Sequence, residues 1–291
     1  MGNKSYRFKL GSFECIIVND GTFAYPHPAQ NFFVNAPEEL RESVLGENGI
    51  HSDQWEEYVS TYPSLVIYTG DRVVLIDTGA GSVVPTTGNL MANLQAEGIS
   101  LEDIDTVILT HGHVDHIGGN VDSNGKPAFP NARYVMWKSE WDFWTSDPDL
   151  TQLAIDELFK ELLLTSARNN LPPIKGQLDL IDSEREILPG IEAIAAPGHT
   201  PGHMALTISS ENEKLLCLAD AVLHPIHLAQ PDWCAAFDMN PKETPVSRRR
   251  LMDIAAVDKA LVFAFHFPFP GLGHIVKKGE GWQWQPIDTA E

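Results

Sequence analysis

A chain of 291 residues, 43% of them hydrophobic, is long enough to bury a sizeable core. Its 20 basic and 40 acidic side chains leave a formal charge of −20 and a pI near 4.8. Such a field repels nucleic acid and anionic bilayers, so neither is expected as a partner, and a polyanionic substrate fits poorly.

The N-terminal run MGNKSYRFKL lacks the apolar stretch of a secretory signal, and Tyr6 stands where myristoylation of Gly2 would want Ser or Thr. No later segment is apolar over the roughly 20 residues that a membrane helix needs. The expectation is a soluble, cytoplasmic chain; a leader removed beforehand would leave no sign. In chain order, Phe13 to Val18 is the first strand candidate. Residues 21–62 show no clear period but carry Phe23, Tyr25, Phe32, Phe33, Trp55 and Tyr58, and are expected to pack as an irregular aromatic flap. Leu65 to Tyr68 and Val73 to Ile76 flank the turn residues Thr69-Gly70-Asp71, forming a hairpin that ends in Asp77-Thr78-Gly79. The spacing predicts a helix over Asn89 to Glu97 with Gly98 as its stop, then a buried strand at Val107 to Leu109.

Arg133 to Trp137 reads as a strand, and Asp149 to Arg168 as a helix with Leu150, Leu153, Leu158 and Leu162 at helical spacing. Ile191 to Ala195 leads into Pro197-Gly198-His199, and Ala205 to Ile208 pairs with Leu215 to Leu218 in a second hairpin. Ser247 to Asp258 is a helix and Leu261 to Phe265 the last buried strand, which delivers His266. No linker composition separates the halves, so residues 1–291 read as a single domain: two sheets face to face with helices outside. Cys15, Cys217 and Cys234 form no CxxC pair and read as small core residues.

The densest chemical signal is His111-Gly112-His113-Val114-Asp115-His116, directly after a buried strand. In an extended loop, residues two apart point the same way, so His111 and His113 can grip one ion while Asp115 and His116, past a turn, reach a second. Neutral imidazoles suit a borderline ion such as zinc, and a carboxylate adds charge or orients water. His199, Asp220 and His266 also stand at strand ends. Each alone would be a turn former or a capping group, and their weight comes from the company of the first cluster.

The order HxHxDH, GHTPGH, strand-end Asp, strand-end His resembles the metallo-β-lactamase superfamily over nearly the whole chain. The resemblance implies an α/β fold, a four-layer αββα sandwich. It also implies two divalent metal ions, zinc first, with manganese, cobalt or iron as other occupants. His111, His113 and His199 look like ligands of the first ion, Asp115, His116 and His266 like ligands of the second, and Asp220 like the bridge between them. Asp115 and Asp220 are then the catalytic carboxylates, Asp115 orienting an attacking hydroxide held between the metals. Asn19-Asp20-Gly21-Thr22-Phe23, residues 33–40 and His266 to His274 look most like the methyl parathion hydrolase and lactonase-like branch. Acyl-homoserine lactonases commonly carry a tyrosine three residues after the bridging Asp; Leu223 stands here, an apolar wall instead.

The expected function is hydrolysis of an apolar ester, whether phosphotriester, lactone or carboxylic ester, by a small-molecule hydrolase that resemblance makes a homodimer. Leu223, Trp144 and Phe32 are the expected substrate contacts. Alternatives are a thioesterase or β-lactamase of the same superfamily, a nuclease, an iron-dependent redox enzyme, or a metal-binding protein without catalysis. Of the other histidines, His203 is expected to brace the GHTPGH turn, His27, His51 and His274 to lie in loops, and His224 and His227 to come nearest the site. Arg248, Arg249 and Arg250 read as a solvated helix face, and Trp137 and Trp141 as packing.

Overall fold

Strand side chains alternate between the two faces of a sheet, so a run that is apolar at every position must be covered on both. Residues 15–18 meet that condition: Cys15 and Ile17 enter one buried cluster, Ile16 and Val18 another. The same split recurs along Leu65, Val66 and Ile67 and along Val74, Leu75 and Ile76. The computed structural model describes residues 4–289, and the reading of Gly2 falls outside them.

Two seven-stranded sheets account for this pattern. The first runs, in spatial and chain order, β1 (Ser5–Leu10), β2 (Phe13–Pro26), β3 (Glu57–Tyr68), β4 (Val73–Ile76), β5 (Thr106–Ile108), β6 (Arg133–Trp137) and β7 (Leu178–Ile181). The second contains β8 (Arg185–Leu188), β9 (Ile191–Ala195), β10 (Met204–Ser210), β11 (Glu213–Cys217), β12 (Leu261–Phe263), β13 (Leu272–Lys278) and β14 (Gly281–Pro286), neighbours in sequence being neighbours in space. The helices are α1 (Pro28–Phe32), α2 (Glu38–Glu47), α3 (Leu90–Ala96), α4 (Val114–Ile117), α5 (Lys138–Thr145), α6 (Glu157–Asn170), α7 (Ile226–Ala229) and α8 (Thr244–Asp258).

Three apolar interfaces stack through the molecule. Between the sheets, Ile17, Leu65, Ile67, Val74 and Ile76 meet Ala193, Met204, Leu206, Leu215 and Phe263. Outside the first sheet, Val66, Leu75, Val107 and Tyr134 are covered by Leu90 and Leu94 of α3, Trp144 of α5, and Leu163 and Ala167 of α6. Outside the second, Ile194, Ala205, Leu216 and Val262 are covered by Leu251, Met252 and Ala255 of α8. Helix, sheet, sheet, helix is the four-layer αββα order expected from the sequence.

Three readings change. Residues 21–62 are not irregular: β2 runs on to Pro26 and pairs with β3 from Glu57, with α1 and α2 between them. A register shift between Asn19 and Thr22 breaks the alternation that would have revealed this ribbon. The expected helix from Asp149 starts only at Glu157, with Asp156 capping it through Phe159 N at 2.8 Å. Asp149 instead turns the chain by accepting from Thr151 N, so Leu150 and Leu153 are buried from a turn while Leu158 is 85% exposed. The strand expected at Leu261 to Phe265 stops at Phe263, freeing the next residues to turn into the site. Strands β1, β7, β8, β13 and β14 went unread; the first three bury at most one residue each, so none presents a sustained apolar run. All three cysteines are buried, as expected, and among the described residues no helix is long and apolar enough to cross a membrane.

Asp20, 1% exposed, fastens the ribbon to the first sheet's loops. Its carboxylate accepts from Ala80 N at 3.0 Å, Gly88 N at 3.1 Å and Leu90 N at 2.9 Å, the last at the start of α3. Asp20→Ala strands those donors in the interior, and is expected to lower stability by about 3 kcal/mol in chemical denaturation.

Candidate metal centre

Strands β4, β5, β6 and β7 run parallel, as do β9, β11 and β12. The loops that leave β5, β9, β11 and β12 therefore emerge where strands of one direction end, and those loops carry the ligand-type residues. His111, His113, Asp115 and His116 follow β5, the last two on α4; His199 follows β9; Asp220 sits in a short turn after β11 entered through Ala219 at φ 44°; His266 follows β12.

The structure brings all seven together. Ligand atoms of His111, His113, His199 and Asp220 lie within 4.8 Å of one another, as do those of Asp115, His116, Asp220 and His266. Asp220 belongs to both groups. Its Oδ2 is 3.2 Å from His199 Nε2 and 3.0 Å from His266 Nε2, and its Oδ1 is 3.1 Å from His116 Nε2. Asp115 Oδ2 lies 3.6 Å from His266 Nε2, and His113 Nδ1 lies 2.9 Å from His199 Nε2. His111 Nε2, His116 Nε2 and Asp220 Oδ1 are buried with no hydrogen-bond partner among the described residues. Buried polar atoms are normally satisfied, and a convergent nitrogen and oxygen set fits a divalent cation.

Burial, reinforced by the neighbouring His116, holds His111 well below the ordinary imidazole range; burial and His199 do the same to His113. Burial opposes protonation of His116 too, but Asp220, Asp77 and Asp115 push it well above. Asp220 is driven well below the usual carboxylate range: burial would raise it, and His266, His116 and His111 outweigh that. The carboxylate shared by the two groups is thus ionised among nitrogen donors, the charge state that ligation would require.

Every outer contact of these side chains fixes a direction. His116 Nδ1 donates to Asp77 Oδ2 at 2.7 Å, and Asp77, held at φ 59°, also accepts from Thr110 N and Thr110 Oγ1, each at 2.8 Å. His199 Nδ1 donates to Asp238 Oδ1 at 2.9 Å, and His266 Nδ1 is 2.9 Å from Ser60 Oγ. Such partners set which ring nitrogen faces a metal. His203 braces the 199–203 turn as expected, donating to Ala196 O at 3.1 Å, and its Nε2 also accepts from Asp220 N at 3.0 Å.

Glu140 of α5, fully buried, ties the two histidine loops together. It accepts from Gly112 N at 2.8 Å, Gly202 N at 2.7 Å and Trp144 Nε1 at 2.7 Å. Both glycines are required by the fit, since a Cβ on Gly112 would stand 2.3 Å from Trp144 Cδ1 and one on Gly202 2.3 Å from Glu140 N.

Arg248, expected in solvent, is completely buried. It donates to Ala221 O at 2.7 Å, Pro231 O at 3.0 Å and Trp233 O, and lies 3.8 Å from Asp238. Arg249 and Arg250 remain outside, paired with Asp232 and Glu184. Sequence reasoning missed Asp77, Asp238, Glu140, Ser60 and Arg248 as partners. A signal existed for Asp77, which closes a hairpin beside glycine, and for Glu140, four residues from Trp144 on one helix face.

Above the cluster a narrow cavity is walled by Tyr25, Phe32, Phe159, Leu163, Leu223 and Phe237, with His113, Asp115, His199, Asp220 and His266 at its floor. Among the described residues bordering it there is no lysine or arginine. Phe32 and Leu223, two of the three expected substrate contacts, are among the wall residues. Trp144 does not: its indole backs His113 at 5.6 Å between ring centroids, and its N–H is committed to Glu140. Tyr25 packs edge-on against Phe32 at 5.4 Å and Phe237 at 5.6 Å, and its hydroxyl meets that of Tyr62 at 2.7 Å. Burial pushes both phenols well above their ordinary range, so both stay protonated. His224 and His227 lie just behind this wall, His227 holding Phe32 O at 2.8 Å, and neither joins the ligand cluster.

The sequence profile of the metallo-beta-lactamase superfamily matches residues 59–266, well over half of the chain. The chain belongs to that superfamily. Among its relatives is an N-acyl homoserine lactonase from Bacillus cereus, 25% identical over 69% of this chain and 79% of its own length. In space it is similar to AidC, described as a dizinc quorum-quenching lactonase in complex with its product N-hexanoyl-L-homoserine, at 30% identity and TM-score 0.86 over 99% of this chain and 98% of that one. It is also similar to the hydrolase AbOPH, at 26% identity and TM-score 0.86 over the full length of both chains.

In this superfamily member Glu140 holds the loops that carry His111, His113 and His199. Glu140→Gln keeps the shape but turns an N–H2 group toward backbone donors, and is expected to weaken metal affinity about 10- to 100-fold. Competition against a chromogenic chelator, with circular dichroism to confirm the fold, measures this.

Proposed function

We propose that the chain is a metal-dependent hydrolase of small, uncharged, apolar esters, lactones foremost, with aryl carboxylic esters and phosphotriesters as related substrates. The observation that carries this reading is the pairing of a floor and a wall: ligand-type residues in two groups sharing Asp220, under a cavity walled by aromatic and aliphatic side chains with no lysine or arginine among the described lining residues. His111, His113, His199 and Asp220 would hold one divalent ion and Asp115, His116, Asp220 and His266 a second, zinc being our first choice. Such a pair supplies Lewis acidity toward an ester oxygen and lowers the pKa of water near neutrality.

The chain's own groups do the rest. Water is the nucleophile, since no serine or cysteine borders the cavity among the described residues, and burial pushes the thiol of Cys217 far up. Asp115 borders the cavity, so its carboxylate can orient that water and carry its proton to the leaving oxygen. Phe32, Phe237 and Leu223 exclude solvent and press the apolar part of the substrate against the floor. The lactonases among the relatives support a lactone. Glutathione thioesters, β-lactams and nucleic acids all carry anionic groups that no lysine or arginine among the described lining residues would meet.

The test is turnover by metal-loaded protein of an N-acyl homoserine lactone, an aryl carboxylic ester and an aryl phosphotriester. Hydrolysis of at least one is expected, lost by more than 100-fold on chelation and regained on adding zinc, manganese or cobalt. A folded sample with two metals per chain that is inert on all three refutes the reading and favours metal binding without catalysis.

A further inference from the structure

Of the described side chains that border the cavity, Tyr25 is the one polar group that belongs to neither ligand group. Its hydroxyl has a single recorded partner, the hydroxyl of Tyr62 at 2.7 Å. Two phenols joined by one hydrogen bond hold two protons and use one of them. Tyr62 does not border the cavity; it is stacked on Phe265 at 5.9 Å and set edge-on to His266 at 5.7 Å. The arrangement that leaves neither phenol frustrated has Tyr62 donating to Tyr25 and Tyr25 turning its own proton into the cavity. A hydroxyl that accepts one hydrogen bond also becomes a better donor in the next.

We infer that Tyr25 is the substrate-touching hydrogen-bond donor of this site, its phenol binding the ester's carbonyl oxygen as that oxygen gains negative charge, with Tyr62 holding the phenol in place. The inference rests on the hydrolase reading above and names a residue that reading does not require. In the step concerned, the water oxygen bonds to the acyl carbon and the carbonyl π pair moves to its oxygen. Collapse then re-forms the carbonyl and breaks the bond to the leaving oxygen, which takes the proton given up by water by way of Asp115. Tyr25 keeps its proton throughout. The hydroxyl's partner is another phenol, Tyr62, so a proton passed to the leaving oxygen would have no paired acid at hand to replace it. Donation without transfer is the role that the surroundings permit, and such donors act chiefly on the transition state.

The experiment compares Tyr25→Phe, Tyr62→Phe and the double variant with the parent protein, all loaded with zinc and assayed for metal content. On a lactone and on an aryl ester, Tyr25→Phe is expected to lower kcat about 30- to 100-fold with KM within about twofold, alike for both leaving groups, while two metals per chain remain. Tyr62→Phe, which keeps the donor but loses its anchor, should lower kcat only several-fold. The double variant leaves no stranded hydroxyl and should show the full loss. Calorimetry supplies a readout independent of turnover: Tyr25→Phe should weaken binding of a phosphonate monoester, whose charged tetrahedral oxygens imitate the transition state, at least tenfold, and leave a neutral amide analogue unchanged.

Unchanged kcat and unchanged phosphonate affinity in Tyr25→Phe would overturn the inference, as would loss of metal from that variant, which would make the hydroxyl structural. A parent protein inert on every ester refutes the hydrolase reading instead, and the phosphonate affinities still decide whether Tyr25 faces a developing oxyanion.

Discussion

Asp220 is a carboxylate, 2% exposed, placed among four histidines, and most of the surrounding architecture serves to keep it there. An ionised group so deep is tolerated only where opposite charge and directed donors surround it. The imidazoles converge on it from both sheets, so neither half of the sandwich completes the cluster alone: the first half brings His111, His113, Asp115 and His116, the second His199, Asp220 and His266. The parallel strands make this meeting possible, because their ends discharge loops on one side of each sheet.

The burden then passes outward through a series of committed contacts. Asp77 and Asp238 each fix one imidazole, Ser60 a third, His203 pins the backbone of Asp220, and Glu140 joins the two histidine loops. Arg248 closes the series from the far side, spending its guanidinium on three carbonyls of residues 221–233 and on the charge of Asp238. Removing any one leaves a buried group stranded, which is why this polar framework is as demanding as an apolar core.

Much of the site was readable from sequence because its signal is local or stands at a recognisable boundary. Four ligand-type residues fall within six positions after a buried strand, and His199, Asp220 and His266 each follow a short apolar run. Most of the framework behind them was not readable, since apart from His203 it consists of single acids, a serine and one arginine whose roles arise only when distant loops meet. Arg248 illustrates the limit: three successive arginines on a helix look like a solvated stripe, and only the carbonyls folded over the first of them make it interior. The fold class was legible in the doubly apolar strands. The ribbon of residues 21–62 was hidden by its register shift.

The cavity's floor and its walls come from different kinds of chain. The floor is built at strand ends under many simultaneous constraints, whereas the walls come from the β2–β3 ribbon with α1, from α6, and from the loops around Leu223 and Phe237. Phe32, Phe159 and Leu163 stand on helices that carry no ligand-type residue of the cluster, so their size can change with the least effect on the ligand-bearing turns. Selection can therefore retune which molecule is admitted while the reactive apparatus stays fixed, so that closely similar scaffolds diverge in diet before they diverge in chemistry.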